Sequence, residues 1–479
     1  MRKLLIAALL SSPVAVHAVP LGEAGSAQII AAVDQRAPAI QSAALDIWRF
    51  AEVGYQESKS SALLQKQLKD AGFEVKANVA GMPTAFVATF SNGKGPVVGM
   101  LAEFDALPGL SQAAEPGRKP VTAGGAGHGC GHNLFGAASV GAAIAIKSWM
   151  QANKVAGELR LYGTPAEEGG GAKVYMSRAG LFDDVGAVIH WHPDDTNSAA
   201  QDFAMANISG KFRFRGVAAH AAGSPDKGRS ALDALEIMDV AVQFMREHIP
   251  DGVRIHNIVT NGGSAPNVVP DFAESYYYVR HKDPEVVREV LARVRKVADG
   301  IAIATETQVE FELMNGVFAL LPNDTLGRLM DTNLRKAGTP AWTAQETAFA
   351  RELSKTLGDG AKPLENASKI PAYSSGGPGG GSTDVGDVSW VVPTVGLNVA
   401  TYVPGTPAHS WQAVAAAGTG IGTKGAVVAA KAMALTGAEL FSNPEIIAAA
   451  RAEFDERRGK GFKYKPLIGD RSPPLDYRK

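Results

Sequence analysis

The sequence predicts an α/β protein in which a small α+β domain interrupts a larger one. Three observations carry this. In the first part of the chain, short apolar runs alternate with stretches of helical period, the pattern of a mainly parallel sheet covered by helices. Near Ser209 the grammar changes to strict apolar-polar alternation, as in a sheet with one wet face, and the elements follow in the order β-α-β-β-α-β of a ferredoxin-like sandwich. The chain has 479 residues, too many for one ordinary core, so two domains are expected.

The opening stretch stands apart. Arg2 and Lys3 precede an apolar run over 4–10, and Val16-His17-Ala18 supplies small residues at the cleavage positions. This is the pattern of a secretory signal peptide cut after Ala18, in preference to a buried N-terminal helix, and it implies export to the periplasm or the exterior. The run is too short for a lasting anchor, and no later segment offers ~20 apolar residues free of charge, Gly or Pro. Residues 27–52 then read as a helix, and 58–71 as a second that stops at Gly72. The apolar runs 85–90 and 97–101 are too short for helices and read as buried strands. Residues 134–150 form a small-residue helix, and 158–162 and 185–191 are further strands.

In the interrupting segment, 211–215 is a strand and 230–248 a helix. Strands 254–260 and 274–280, a helix over 284–304 and a strand over 308–313 complete the sandwich. From Asn323 helices and short apolar strands resume. The Gly/Ser-rich stretch 374–382 reads as an active-site loop rather than a linker, because a strand and a His motif follow it directly. From Arg457 the chain is polar and Pro-containing, and is expected to run extended over the surface or be partly disordered.

Composition narrows the function classes. Hydrophobic residues make up 46% and charged residues 20%, as in an ordinary globular protein, and the net charge of −1 without a basic block excludes nucleic acid as a main partner. Cys130 is the one cysteine. Alone, it is a buried small hydrophobe, a reactive thiol or a metal ligand, and its neighbours must decide.

Those neighbours are Gly127-His128-Gly129-Cys130-Gly131-His132, just before a helix. The glycines let the backbone turn sharply, and Cys130 and His132, two apart in an extended segment, share a face. A thiolate with an imidazole suits zinc and tolerates manganese, cobalt or nickel. Thr164-Pro165-Ala166-Glu167-Glu168 follows a strand, at the end where α/β folds place ligands; by itself a solvated turn explains it equally well. His190-Trp191-His192 ends another strand, and alternation sends both histidines to one face. His409 follows the apolar run 395–397. Together Cys130, His132, Glu168, His192 and His409 lie at or after strand ends of the larger domain. Such a set holds two divalent ions that acidify a shared water and polarise a carbonyl. Glu167, the other carboxylate of the pair, is then the base.

At this point the chain resembles the co-catalytic metallopeptidases that include aminoacylase, folate-cleaving carboxypeptidases and auxin-conjugate amidohydrolases. The resemblance rests on Gly127 to Asn133, Thr164 to Gly171 and Pro404 to Ser410 and covers nearly all of the mature chain. It implies a two-metal exopeptidase-like catalytic domain, 19–207 and 317–456, with a dimerisation or lid domain inserted at 208–316 and an extension at 457–479. Its ligands fall on Cys130, His132, Glu168, His192 and His409, with two Zn or Mn ions, and its general base on Glu167. His220 resembles the lid histidine that reaches an active site, in some members the partner subunit's, where it would stabilise an oxyanion. Asn267 and Arg280 resemble lid residues that grip the substrate carboxylate, a task suited to the bidentate guanidinium; without the resemblance, Arg280 reads as an exposed strand charge.

Two departures matter. Where many relatives begin the site with His-x-Asp, this chain has Glu103-Phe104-Asp105, which leaves Asp105 as a residue that orients a ligand. Asn133 replaces the Asp common in auxin-conjugate enzymes and points to the branch acting on aminobenzoyl-glutamate. The resemblance implies hydrolysis of N-acyl or N-aroyl amino acids by a homodimer or a pair of related subunits. A dipeptidase or carboxypeptidase on small peptides, and a silent metal- or peptide-binding protein on the same fold, are the alternatives.

Overall fold

The structure is a computed structural model that describes residues 21–378 and 381–478. The signal-peptide reading of 1–18 lies outside the described residues. The strands, in chain order, are β1 (Glu74–Ala77), β2 (Phe86–Ser91), β3 (Val97–Ala102), β4 (Glu158–Gly163) and β5 (Ala187–Ile189). Then come β6 (His192–Asp194), β7 (Gln201–Phe203), β8 (Ala206–Arg215), β9 (Arg254–Asn261) and β10 (Phe272–His281). β11 (Gln308–Val317), β12 (Ser375–Pro378), β13 (Thr394–Val395) and β14 (Asn398–Ala400) complete the set.

The larger sheet has the order β1-β2-β4-β3-β5-β13. β4, β3, β5 and β13 run parallel to one another, and their residues are almost all buried, as apolar runs covered on both faces must be. β2 runs antiparallel to β4 and β1 antiparallel to β2, so this edge departs from the parallel pattern. Three long helices, Gly22–Phe50, His132–Asn153 and Gly420–Ser442, pack on one another beside the sheet. Gly420–Ser442 is long and apolar enough to cross a membrane, but 89% of its apolar window is buried inside the protein, where it packs as a core helix.

The smaller sheet, order β11-β8-β10-β9, is antiparallel throughout. With helices Ala231–Met245 and Pro284–Ala304 it has the strand order of a ferredoxin-like sandwich. Alternation decides which face is covered: Ala273, Ser275, Tyr277, Val279 and His281 of β10 are buried, and their neighbours are half-exposed. Both helices have side-chain caps, Ser230 accepting from the Asp233 amide and Asp283 from the Glu285 amide, with Pro284 in the first turn. The unit has its own core around Phe212, Phe214, Leu235, Met238, Val290 and Val294.

One expectation needs correction, and two stretches gain detail. The strand over 185–191 stops at Ile189, and after His190 and Trp191 the chain resumes as β6, paired with β14 instead of β13. Within the Gly/Ser-rich stretch, Ser375–Pro378 forms β12 along β7, with Gly377 donating to Asp202 and Gly381 accepting from the Met205 amide. These contacts tie it to the approach to the smaller sheet. From Arg457 the segment leaves the end of the helix Pro444–Arg458 and runs without regular structure over the surface, exposed or half-exposed apart from the buried Leu467 and Ile468.

Candidate metal centre

Each predicted ligand is held by a recognisable local cause. Gly131 begins the helix His132–Asn153 at φ 72°, and a Cβ there would sit 2.6 Å from the Tyr402 hydroxyl and 2.7 Å from Pro193. Only glycine takes that turn in that space. It places Cys130 just outside the helix and His132 in its first turn, both buried. Asp105, past the end of β3, meets His132 Nδ1 at 2.8 Å and accepts the Glu168 amide with its other oxygen at 2.9 Å. One buried carboxylate thus orients an imidazole and a carboxylate-bearing turn together.

Glu167 and Glu168 follow β4. Ala166 before them has φ 54°, and its amide donates to Glu57 Oε1 at 2.8 Å. A non-glycine residue in that region persists only where its surroundings impose it. Trp191, fully buried, donates to the Phe135 carbonyl at 3.1 Å and anchors the strand end beside it. His192 donates Nδ1–H to the Pro193 carbonyl at 2.7 Å, which leaves Nε2 as the nitrogen that faces Cys130 Sγ, 3.4 Å away. His409, at φ 58°, donates its amide to the Gly129 carbonyl at 2.9 Å and brings Nε2 within 3.0 Å of Glu168 Oε1.

The side chains converge in three overlapping groups, Cys130/His132/His192, Cys130/Glu168/His409 and His132/Glu167/Glu168, each with ligand atoms within 4.8 Å of one another. Cys130 belongs to the first two. Glu168 Oε1 and His132 Nε2 are buried without an aligned hydrogen-bond partner, although His409 and Glu103 approach them at 3.0 and 3.1 Å. Buried lone-pair atoms that converge without hydrogen bonding fit a cation better than one another. Sulfur, imidazole and carboxylate donors suit a borderline divalent ion.

The electrostatics agree. Burial pushes the Cys130 thiol up, but His192 and His132 beside it hold it well below its usual range. Burial would lower His192, yet Cys130 raises it to about 9. Contact with Cys130 and Glu168 raises His409 to about 10. Protons on the imidazoles balance the thiolate, the role a divalent cation takes over from them. Burial, with Glu103, Glu168 and Asp384 around it, pushes Glu167 well above the usual carboxylate range. An adjacent cation reverses that shift.

Not every predicted residue joins this cluster. His190 is half-buried, its Nε2 lying buried beside Gly396 without a partner, and is not among the ligand groups. His220 is exposed, accepting the Ala222 and Gly223 amides on Nδ1 at 3.2 and 3.1 Å. Asn267, equally exposed, accepts the Ala221 amide on its carbonyl, so the two sit on adjoining loops of the smaller unit. Arg280 is half-buried on β10, its Nε without a partner and its guanidinium 5.3 Å from the Tyr278 ring. Among the described residues no hydrogen bond or ion pair links His220, Asn267 or Arg280 to the ligands.

Sequence reasoning missed a buried support beneath them. Lys173 bridges Glu103 at 2.8 Å and Asp384 at 2.6 Å, and Glu103 in turn faces His132. Glu103 stands where the sequence showed only a missing histidine. Lys173 had one signal, its place two residues after the Glu-Glu-Gly-Gly-Gly run.

Fold and donor set together define a metal-dependent hydrolase of amide bonds. Residues 206–306 match the family model of the peptidase dimerisation domain. Over 436 residues the chain is 40% identical to one of the subunits of p-aminobenzoyl-glutamate hydrolase of Escherichia coli (strain K12), spanning 86% of this chain and 90% of that protein. It is 29% identical to Xaa-Arg dipeptidase of Mus musculus, over 88% and 90% of the two chains. Among solved structures, a dinuclear metal-binding M20-family peptidase from Bacillus subtilis matches with a TM-score of 0.58 at 17% identity, over 86% of this chain and 99% of that one. The chain belongs to the M20 family of metal-dependent peptidases and amidohydrolases.

Proposed function

We propose that the chain hydrolyses N-acyl or N-aroyl amino acids of the p-aminobenzoyl-glutamate kind, with two divalent ions, Zn or Mn, held by Cys130, His132, Glu168, His192 and His409. One observation carries this: two ligand groups share Cys130, and Glu167 lies in the third group beside them. Similarity to p-aminobenzoyl-glutamate hydrolase supports the substrate class. When bound, the ions lower the pKa of a water and polarise the scissile carbonyl.

The chain's own residues do the rest. Glu167 accepts the proton of the attacking water on a carboxylate oxygen and delivers it to the leaving nitrogen as the C–N bond breaks. Asp105 holds His132 in one tautomer and one orientation. His220 donates to the developing oxyanion, and its exposure in its own chain supports action at the site of a second copy. Asn267 and Arg280 take the substrate carboxylate. Export, read from Arg2-Lys3 and Val16-His17-Ala18, places the reaction in the periplasm or outside the cell.

The test is hydrolysis of p-aminobenzoyl-glutamate, beside N-acetyl and indole-acetyl amino acids, by mature protein loaded with Zn or Mn. Release of amino acid should stop with a chelator, and Glu167→Gln should cut kcat by about 10²–10⁴-fold with metal still bound. Stoichiometric metal without turnover of any of them would sink the reading. Similarity to Xaa-Arg dipeptidase supports a second reading, cleavage of free-amino dipeptides. A dipeptide turned over faster than its N-acetylated form would favour it.

A further inference from the structure

The segment beyond the last helix travels from the smaller sheet to the metal-ligand turn. Tyr464 donates to buried Asp387 at 2.6 Å, and Arg471 donates to the Met314 carbonyl on β11. Arg178 donates to the carbonyls of Gly469 and Arg471, both at 2.8 Å, and Gln56 to that of Leu475 at 2.9 Å. The segment then delivers two donors to one acceptor. Tyr477 Oη and Arg478 Nη2 reach the Glu168 carbonyl at 3.0 and 2.9 Å. The Tyr477 ring packs edge-on against Tyr55, centroids 5.8 Å apart, and Tyr55 Oη donates to the Gly170 carbonyl at 2.9 Å. A Cβ on Gly54 would sit 2.1 Å from Tyr477 Oη, so the backbone there leaves room for the hydroxyl.

We propose that Tyr477 and Arg478 are positioning residues of the active site, fixing the Glu167-Glu168 turn from its outer side. The proposal rests on the reading of Glu168 as a metal ligand and Glu167 as the base. Its logic is that both peptide groups of Glu168 are held: Asp105 takes the amide on one side, and Tyr477 with Arg478 fills both lone pairs of the carbonyl on the other. A ligand carboxylate and a base must be held within about 0.5 Å of their working geometry, and here that restraint comes from a strip of chain also anchored to the smaller sheet.

The test uses the full chain with Tyr477→Phe alone and Tyr477→Phe with Arg478→Ala. Zinc affinity is read by competition with a chromophoric chelator, kcat and KM on the best amide substrate, and thermal melting on metal-free protein. The double variant should lose about ten- to a hundredfold in zinc affinity and kcat, the range for partners that orient a ligand, with KM and metal-free melting near wild type. Tyr477→Phe should move the same way by less. Wild-type zinc affinity and kcat in Tyr477→Phe together with the double variant would overturn the proposal. So would a rise in KM alone, which would make the segment a substrate contact. If the double variant misfolds, Tyr477→Phe decides: wild-type zinc affinity there overturns the proposal. Wild-type protein that binds zinc yet hydrolyses no amide defeats the enzymatic reading instead, and the zinc comparison still judges the segment.

Discussion

Lys173 has no exposed surface, and its ammonium lies between Glu103 and Asp384 with Glu167 close by. Burial opposes its charge, and the carboxylates outweigh that and hold its pKa above the ordinary value. Lys173→Met should therefore leave two buried carboxylates uncompensated and destabilise the fold by about 3–5 kcal/mol, read from urea unfolding of metal-free protein. Unchanged stability would show that the carboxylates are already protonated. Glu57 allows a sharper test. Burial and nearby Asp105 push its carboxyl from 4.5 up to about 8, while it accepts from the Ala166 amide and the Thr84 hydroxyl. Between those two values the folded state binds the extra proton, so its contribution to stability is lost as pH rises through that window. Glu57→Gln, neutral and of the same shape, should flatten the fall of melting temperature across the window; a parallel decline in both proteins would exclude Glu57 as its source. The candidate ligands Cys130 and His132 were legible because glycine-flanked Cys and His have few ordinary uses. Glu57, Glu103, Lys173 and Asp384 were not, because charged residues are exposed by default and Lys173 finds Asp384 across 211 positions.

At the scale of the element, the helix His132–Asn153 was read from its run of small and apolar residues, but its start was not. The start depends on Gly131, whose positive φ and contact with Tyr402 and Pro193 set where Cys130 and His132 point. Gly131→Ala should abolish stoichiometric zinc binding, measured by metal analysis after dialysis, while leaving the far-ultraviolet circular dichroism helical. Retained zinc would mean that the loop shifts to admit the methyl. β1 went unseen because three of its four residues, Glu74, Lys76 and Ala77, are exposed and no apolar alternation marks them. The division of one expected strand into β5 and β6 has a similar cause. The amides of Val188, His190 and His192 donate in turn to Pro393, Val395 and Leu397, so the backbone pattern hardly changes while the paired strand does. The docking of Leu467 and Ile468 in the surface segment beyond Arg458 was not legible, because its Leu, Ile and Tyr residues are spread among Pro and charge without a period.

At the scale of the molecule, most of the exposed large apolar side chains lie on the smaller unit, and five of them sit on one helix and β9. Ile237, Val240 and Phe244 lie on Ala231–Met245, and Ile258 and Val259 on β9; Phe244 is 74% and Ile258 62% exposed. β9 is also an edge of its sheet, with unpaired backbone groups along one side. An apolar strip beside an open edge is an association surface, and the match to a dimerisation domain supports its use by a second copy or by a related chain. Phe244→Glu with Ile258→Asp should convert a dimer to monomer in sedimentation at micromolar concentration; a monomeric wild type would rule such a dimer out. Such a dimer would also give the exposed His220 a site to serve. Glu167→Gln and His220→Ala chains should each be inactive alone. Mixed and reassociated, they form heterodimers in which one site joins an intact Glu167 to an intact His220 from the other chain. Random pairing makes half the dimers mixed with one working site each, so about a quarter of wild-type activity should return. If His220 served its own chain, every site in the mixture would lack one of the two groups, and no activity would return.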